Sequence, residues 1–393
     1  RPAESVTDAA SLGQAAADHP MLGAVVPLPQ SGGLVFTSRL SVRSHPWLAD
    51  HAVGGVVIVP GSGLVELAVR AGDEAGCPVL DELVIEAPLV LPEHGGVRVQ
   101  VAVSGPDGNG ARTVDVYSLR DGGAGPWTRH ATGVLSAVPG SGAGFDFVAW
   151  PPPGAVEVDV ADFYTGLAER GYAYGPAFQC LRAVWRRGDE VFAEVTLPDG
   201  LRKDAARFGV HPALLDAALQ AATAGGAQEP EEPVLAFAWN GVVLHAAGAT
   251  ALRVRLAPSG SDALSVEAAD ETGGPVVTMD SLVSRPVSAE RLGVVAGESR
   301  DSLFRVEWAG LPLTHAEPSP SWAPVGAARD VAALAEGASV PPVAVLDAMS
   351  DGGDGAALAV TSRVLRVLQA WLAAPAFEES RLVVVTRGAV PAG

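Results

Sequence analysis

Cysteine and lysine are almost absent from this 393-residue chain. Cys77 and Cys180 are the two cysteines, and Lys203 is the one lysine. Two cysteines cannot form the dense disulfide framework of a small secreted protein, so the sequence fits a reducing cytoplasm. With a single lysine, nearly all the positive charge is carried by arginine. Acidic residues outnumber basic ones, and the formal net charge is −19.

This negative charge argues against nucleic acid as a partner, because nucleic-acid binding depends on basic residues that neutralise phosphates. The sequence also lacks any uncharged apolar run of about 18 residues, so no membrane-spanning segment is expected. Residues 1–5 contain no apolar signal core and resemble a piece of a longer polypeptide. Hydrophobic residues make up 48% of the chain, which is enough for a large core.

Several segments alternate apolar and polar residues, a pattern typical of half-buried antiparallel strands. The clearest are residues 97–101, 113–116, 191–197 and 252–256. Two mostly apolar helices are predicted among them, at Gly63–Ala75 and Ala213–Ala224. Because strands lie before and after each helix, the sequence predicts two similar units, each a sheet curled around one helix.

A different pattern begins after residue 302. Residues 303–308 are predicted to form a strand, Ala356–Ala373 an amphipathic helix, and Arg381–Thr386 a buried strand. The order strand, helix, strand indicates an α/β unit, which we expect to be partial because the sequence stops soon after the last strand. Residues 288–302 are polar and are predicted to be a linker.

The first candidate for chemistry is His51, which precedes an apolar strand leading to Pro60. A histidine titrates near neutral pH and can serve as a general base. Gly54 and Gly55 have no side chain and would let a ligand approach the backbone. The alternative is a histidine at a strand end that is solvated or hydrogen-bonded.

The second candidate is Asp216, which lies among alanines and leucines in the predicted helix. A carboxyl on such an apolar helix is costly unless it is paired, neutral or functional. Burial would raise its pKa and the helix N-terminus would lower it, and the sequence does not decide between them. Gln220 shares its helix face. The alternative is an aspartate that caps the first turn.

The third candidate is the loop Gly171–Phe178, with sequence GYAYGPAF. Tyr172 and Tyr174 could direct two hydroxyls into a cleft. The alternative is a rigid turn with aromatic packing.

Together, these three segments resemble the dehydratase domain of modular type I polyketide synthases. The family pattern HxxxGxxxxP is matched by His51, Gly55 and Pro60, GYxYGPxF by residues 171–178, and DxxxQ/H by Asp216 and Gln220. The resemblance covers residues 19–287, with residues 1–18 as a linker. Residues 303–393 resemble the start of a ketoreductase structural subdomain.

The resemblance implies an α+β double hot-dog fold, with the first hot-dog at about 19–140 and the second at 155–287. It also implies that His51 is the base and Asp216 the acid in a syn elimination of water, which converts a D-3-hydroxyacyl thioester to a trans-2-enoyl thioester. Tyr174 and Gln220 would orient Asp216 or the leaving hydroxyl. The amide of Gly55, or the start of the helix after Pro60, would bind the thioester oxygen.

No NADPH site is expected, because the chain lacks a complete glycine-rich cofactor loop, and no metal is expected, because no His/Cys spacing suggests zinc. The resemblance implies that no cofactor is bound directly and that the substrate is carried on the phosphopantetheine arm of an acyl carrier protein. Further expected partners are other domains of the same synthase and a second copy in a homodimer. Arg182, Arg186 and Arg187 form a basic cluster that is either a solvated strand face or a landing point for an acidic carrier.

Other activities stay open from the sequence. A double-bond isomerase or a pyran-forming cyclase of the same fold would use a similar His–Asp pair. A non-catalytic structural domain of the synthase is the alternative outside the enzymes.

Overall fold

The computed structural model divides the chain into two compact units, residues 1–303 and 304–393. The described residues are 9, 13–122, 125–137, 144–224, 233–260, 262–287, 292, 321–335, 337, 340–349, 356–377 and 380–386. The strand predicted at residues 303–308 lies outside them. Of the helices in the described ranges, none has the length and apolar composition needed to cross a membrane.

The first unit is built mainly of strands. Those in its described part are β1 (Ala15–His19), β2 (Leu22–Leu28), β3 (Gly33–Leu40), β4 (His51–Val53), β5 (Val56–Val57), β6 (Val79–Ile85), β7 (Val97–Val103), β8 (Arg112–Arg120), β9 (Thr128–Ser136), β10 (Val156–Val158), β11 (Tyr172–Tyr174), β12 (Leu181–Arg187), β13 (Glu190–Thr196), β14 (Val234–Leu244), β15 (Ala251–Pro258), β16 (Ala263–Ala269) and β17 (Pro275–Pro286). The helices are α1 (Gly61–Glu74), α2 (Phe163–Glu169), α3 (Asp199–Ala205) and α4 (Pro212–Gln220).

The alternating segments form strands as predicted, because alternate side chains enter the core. In β7, Val97, Val99, Val101 and Val103 are buried, whereas the residues between them are partly or fully exposed. The pattern satisfies the two-residue period of a strand that has one face on the core. The same alternation places the inward residues of the neighbouring strands around α1.

One continuous antiparallel sheet links the two halves. Its order is β1-β2-β3-β7-β8-β9-β6 in the first half, followed by β14-β17-β16-β15-β13-β12-β10 in the second. The halves join where β6 pairs with β14, for example at Leu83 and Trp239. Each half still wraps one helix, as predicted for a double hot-dog. The join was not predicted, and it covers two strand edges that would otherwise leave backbone groups unpaired.

Helices α1 and α4 correspond to the two buried helices that were predicted, with slightly different ends. Helix α1 starts at Gly61, directly after Pro60, whose extended backbone makes it the N-cap residue. Helix α4 starts at Pro212, which suits the first helical turn because proline has no N–H to leave unpaired. Its predicted last turn is instead a 3-10 turn at Ala221–Thr223.

A small second sheet connects the halves at the candidate site. Strand β11 of the second half pairs with β4 of the first half, and β4 also pairs with β5. The register sets Tyr174 opposite His51 and Tyr172 opposite Val53. The GYAYG segment and the segment that begins at His51 are therefore neighbours in a backbone ladder.

The second unit has a parallel sheet with helices, which matches the predicted α/β pattern. The prediction that its last strand is buried is wrong, because Val383, Val384 and Val385 each keep more than a third of their surface exposed. Its described elements are β18 (Trp322–Val325), α5 (Ala328–Ala335), β19 (Val343–Asp347), α6 (Ala356–Leu372) and β20 (Arg381–Val385). Strand β19 pairs in parallel with both β18 and β20. Val325, Leu346, Val367 and Trp371 are among its buried core residues.

Candidate active site

A cavity of about 510 Å³ lies within the first unit and brings together residues from both halves. Five of the sequence-predicted site residues line it: His51, Tyr172, Tyr174, Asp216 and Gln220. Most of its remaining wall is apolar and comes from α1, β14, β17 and residues 85–89. A chain with a polar reacting end and an apolar body fits such a lining.

His51 is the first residue of β4, and its side chain is buried. Its Nδ1 lies 3.0 Å from the carbonyl oxygen of Ile58. Because a carbonyl can only accept, Nδ1 carries the hydrogen in the neutral ring, and the lone pair is on Nε2. That Nε2 is 3.9 Å from Oδ2 of Asp216, which is longer than a hydrogen bond.

Asp216 lies in the second turn of α4 and does not cap the helix. The cap is His211, whose Nδ1 accepts a hydrogen bond from the N–H of Ala213 at 3.2 Å, so the capping alternative for Asp216 is wrong. The side chain of Asp216 keeps 14% of its surface exposed, on the cavity side. Burial raises its pKa above the ordinary value, although the charge of His51 and a hydrogen bond from Gln220 each lower it.

Gln220 and Tyr174 flank this carboxyl. Nε2 of Gln220 donates to Oδ2 of Asp216 at 2.9 Å, across one helical turn. The ring of Tyr174 lies 5.4 Å from the ring of His51, centroid to centroid. Burial, followed by the negative charge of Asp216, raises the pKa of Tyr174 well above its usual value, so its hydroxyl stays protonated and can donate.

Tyr172 and Gly55 have different surroundings from those of Tyr174. The hydroxyl of Tyr172 accepts from the N–H of Val234 and donates to its carbonyl at 3.0 Å, which ties β11 to the start of β14. Gly55 lies in the turn between β4 and β5 with φ of +82°, where a side chain would strain the backbone. It is not among the residues that line the cavity.

The start of α1 provides backbone donors at the cavity wall. Gly61 and Ser62 line the cavity, and they precede the first helical hydrogen bonds, which the N–H groups of Gly63 and Leu64 make to Pro60. The first amides of a helix have no partner within it and carry a partial positive charge. A Cβ on Gly61 would lie 3.1 Å from Trp239 and 3.2 Å from Ile85, so glycine keeps this approach open.

Asp50 was missed in the sequence. Its carboxylate accepts from the N–H of Ala177 at 2.8 Å, and its carbonyl accepts from the N–H of Gly175 at 2.8 Å. These bonds hold the loop that follows Tyr174 beside His51. A charged residue directly before His51 was the available signal, but its partners are more than 120 positions away.

Glu66 was also missed, although its signal equals that of Asp216: it is a carboxyl within an apolar buried helix. Its side chain is only 5% exposed and contacts the segment that leads into α4. Ser62, one turn earlier, donates its hydroxyl to the carbonyl of Pro212 at 3.0 Å. Helix α1 therefore carries polar groups that reach the second half.

The arginine cluster lies on β12. Arg187 forms an ion pair with Glu190 at 2.9 Å and lies 5.1 Å from the ring centroid of Phe192. Arg182 donates to the carbonyl of Thr196 at 3.4 Å. These contacts suit a solvated strand face, and the carrier-landing hypothesis stays a prediction.

Groups of three or more His, Cys, Asp or Glu side chains able to hold a metal are absent from the described ranges.

Comparison with known proteins identifies related families for both units. Residues 19–119 match the family model described as polyketide synthase dehydratase domain, and residues 142–293 match the one described as polyketide synthase dehydratase N-terminal domain. Residues 306–393 match the Rossmann fold domain of the polyketide synthase extender module SpnB.

Among curated relatives, the mycoketide-CoA synthase of Mycobacterium tuberculosis is 51% identical over 98% of this chain. The chain spans only 9% of the length of that relative. It is therefore similar to one portion of a much longer synthase.

Two solved structures match the first unit over their full or nearly full length. The dehydratase domain from the terminal module of the rifamycin polyketide synthase is 64% identical, with a TM-score of 0.67, and the match covers 71% of this chain and 100% of that one. The bifunctional dehydratase-cyclase domain in ambruticin biosynthesis is 44% identical, with a TM-score of 0.65, covering 71% and 99%. The chain belongs to the family of modular polyketide synthase dehydratase domains.

Proposed function

We propose that the chain removes water from a 3-hydroxyacyl thioester, with His51 as the base and Asp216 as the acid. The observation that carries this proposal is the pair itself: Nε2 of His51 and Oδ2 of Asp216 are 3.9 Å apart at the wall of one apolar cavity. An acid and a base at this separation can act on adjacent carbons of a single bound chain.

In the proposed reaction, His51 and Asp216 carry out both proton transfers. Nε2 of His51 takes the proton from C2, the electrons of that C–H bond form the C2=C3 double bond, and the C3–O bond breaks. Asp216 gives its proton to the departing hydroxyl, which leaves as water. The proton on His51 then returns to Asp216. The raised pKa of Asp216 supports the acid role, because burial favours its protonated form.

The thioester oxygen gains negative charge as C2 loses its proton. The amides of Gly61 and Ser62, at the start of α1, are the donors that the cavity offers for this charge. The position of Gly55 in a turn outside the cavity lining favours the helix start over Gly55 for this role. Tyr174 and Gln220 would orient the Asp216 carboxyl and the leaving hydroxyl.

The substrate is proposed to be a D-3-hydroxyacyl chain on the phosphopantetheine arm of an acyl carrier protein, and the product a trans-2-enoyl chain. Tethering makes the encounter local and supplies much of the rate enhancement. Other domains of the same synthase, and a second copy in a homodimer, complete the proposed set of partners. The similarity to portions of long synthases supports this setting.

The test is to incubate the protein with a carrier-bound D-3-hydroxyacyl chain and to measure the mass of the acyl group. Loss of one water is expected. His51→Ala should abolish this loss while the protein stays folded, and full turnover of that variant would reject the base assignment. Asp216→Asn should lose most of the rate, and an unchanged rate would place the acid elsewhere.

The same assay separates the alternative activities. The structural likeness to a dehydratase-cyclase domain gives the cyclase alternative a specific basis. An isomerase or a cyclase acting on an enoyl chain conserves the mass, so a product of changed retention and unchanged mass would favour it. A folded protein with no turnover of any such chain would favour the structural role.

A further inference from the structure

Glu66 is a buried carboxylate with three hydrogen-bond donors around it. Its Oε1 accepts from Nε2 of His19 at 3.1 Å and from the N–H of Gly209 at 2.7 Å, and its Oε2 accepts from the N–H of Val210 at 3.0 Å. A carboxylate at this depth is costly unless its lone pairs are satisfied. Here both oxygens have partners, and two of the three donors belong to the other half of the unit.

The donor His19 is itself fixed in one tautomer. Its Nδ1 accepts from the N–H of Met21 at 3.2 Å, so the hydrogen lies on Nε2, which faces Glu66. The ring also makes an edge contact with Phe208, 5.2 Å between centroids. The contact between α1 and residues 208–210 is thus supported from the N-terminal strand as well.

The backbone that Glu66 binds leads directly into α4. Val210 precedes His211, the cap of that helix, and Pro212 is its first residue. One turn before Glu66 on α1, Ser62 binds the carbonyl of Pro212 at 3.0 Å. Two side chains of α1 therefore fix the start of α4, and the position of Asp216 in the second turn of α4 follows from it.

The same helix is tied to the base. His51 is oriented by the carbonyl of Ile58, two residues before Pro60, and Pro60 is the cap of α1. The position of the base therefore depends on the strand that enters α1, and the position of the acid depends on Glu66 and Ser62 of α1. Helix α1 therefore links the segments that carry the two groups, whose Nε2 (His51) and Oδ2 (Asp216) lie 3.9 Å apart.

We infer that Glu66 is a positioning residue for Asp216: by holding Gly209 and Val210 it fixes α4 relative to His51. This inference rests on the proposed dehydration. Glu66 is not among the residues that line the cavity, so it would not touch a chain bound there. Its loss should therefore affect the geometry of the acid more than the binding of the chain.

The test compares Glu66→Leu with Glu66→Gln on a carrier-bound D-3-hydroxyacyl chain. Leucine has a similar size and removes every acceptor. Glutamine keeps one oxygen, which can still accept from His19 and Gly209. A misplacement of about 1 Å can cost about 100-fold in rate, so for Glu66→Leu we expect kcat to fall at least about tenfold with KM within about twofold. Glu66→Gln should restore a large part of kcat.

A matched control is Val103→Ala, which shortens a buried side chain at the end of β7. Val103 is not among the residues that line the cavity, so this change should lower the melting temperature and leave kcat unchanged. If Glu66→Leu, at a similar loss of stability, keeps kcat as the control does, the inference is overturned. If Glu66→Leu does not fold, the longer and more flexible Glu66→Met, which also removes both carboxylate oxygens, takes its place, and a wild-type kcat in that folded variant overturns the inference.

Crystal structures distinguish failure of this inference from failure of the proposed function. The distance between Nε2 of His51 and Oδ2 of Asp216 should lengthen in Glu66→Leu and stay near its wild-type value in Val103→Ala. This comparison requires no turnover. A wild-type protein without dehydratase activity would reject the proposed function, whereas an unchanged distance in Glu66→Leu would reject the positioning role.

Discussion

Gln220→Leu should shift the pH dependence of the reaction upward. Nε2 of Gln220 donates to Oδ2 of Asp216 at 2.9 Å, and this bond favours the ionised carboxylate and lowers its pKa. A hydrogen bond to a charged group contributes about 1.5–3 kcal/mol. Because this bond favours the ionised form, losing it should raise the pKa of Asp216.

The measurement is the pH profile of kcat/KM, which reports the acid and base of the free enzyme. The proposed active form has an unprotonated Nε2 on His51 and a protonated carboxyl on Asp216. Loss of the Gln220 bond destabilises the ionised carboxylate of Asp216 relative to its protonated form. The limb of the pH profile that reports Asp216 should therefore move to higher pH, and neither limb should move to lower pH.

Thr223→Val is the matched control for this experiment. Its hydroxyl donates to the carbonyl of Gln220 at 2.9 Å, so the change removes a hydrogen bond near the same helix end without touching Asp216. Because Thr223 lines the cavity, this variant is expected to change the rate, but both limbs of its pH profile should stay at the wild-type positions. A Gln220→Leu profile that overlays the wild type, or moves to lower pH, would refute the assignment of Asp216 as the acid held by Gln220.

Asp216→Asn should raise the melting temperature at neutral pH, because burial raises the folded-state pKa of Asp216 and its charge therefore lowers stability at high pH. This gain should disappear as the pH falls below 3.8, the pKa of the carboxyl in the unfolded chain. A gain in melting temperature that grows in acid would contradict this reasoning. Gly209→Ala would place a Cβ 2.8 Å from Leu244, and urea unfolding should show a loss of about 1–3 kcal/mol. Tyr172→Phe leaves the N–H of Val234 without its hydroxyl partner and should cost about 1–3 kcal/mol by the same method, with a neutral result excluding that bond as a support of β11.

The fold was predictable where the signal is local. The alternating valines of β7 and the apolar faces of α1 and α4 follow from period and composition, and their positions agree with the structure to within a few residues. The join between β6 and β14 was not predictable, because edge pairing depends on which strands are left unpaired after each half has folded. The pairing of β4 with β11 depends on chain segments about 120 positions apart in the same way.

The same distinction between local and long-range signals applies to the candidate site. His51 and Asp216 stand out in the sequence as polar residues next to apolar elements, and the family motifs assign both of them to one site. Glu66 stands out equally but belongs to no motif that was recognised, and its partners are backbone amides, which any sequence possesses. When the partners of a buried carboxyl are backbone amides, the sequence contains no complementary side chain that would reveal the contact.

The join between β6 and β14 also affects how chimeras of such proteins can be built. A chimera that takes one hot-dog from this chain and the other from a relative must rebuild the backbone ladder between Val79–Val84 and Ala238–Val243, together with the side chains packed on both of its faces. Grafting should therefore tolerate exchange of the whole first unit better than exchange of either half.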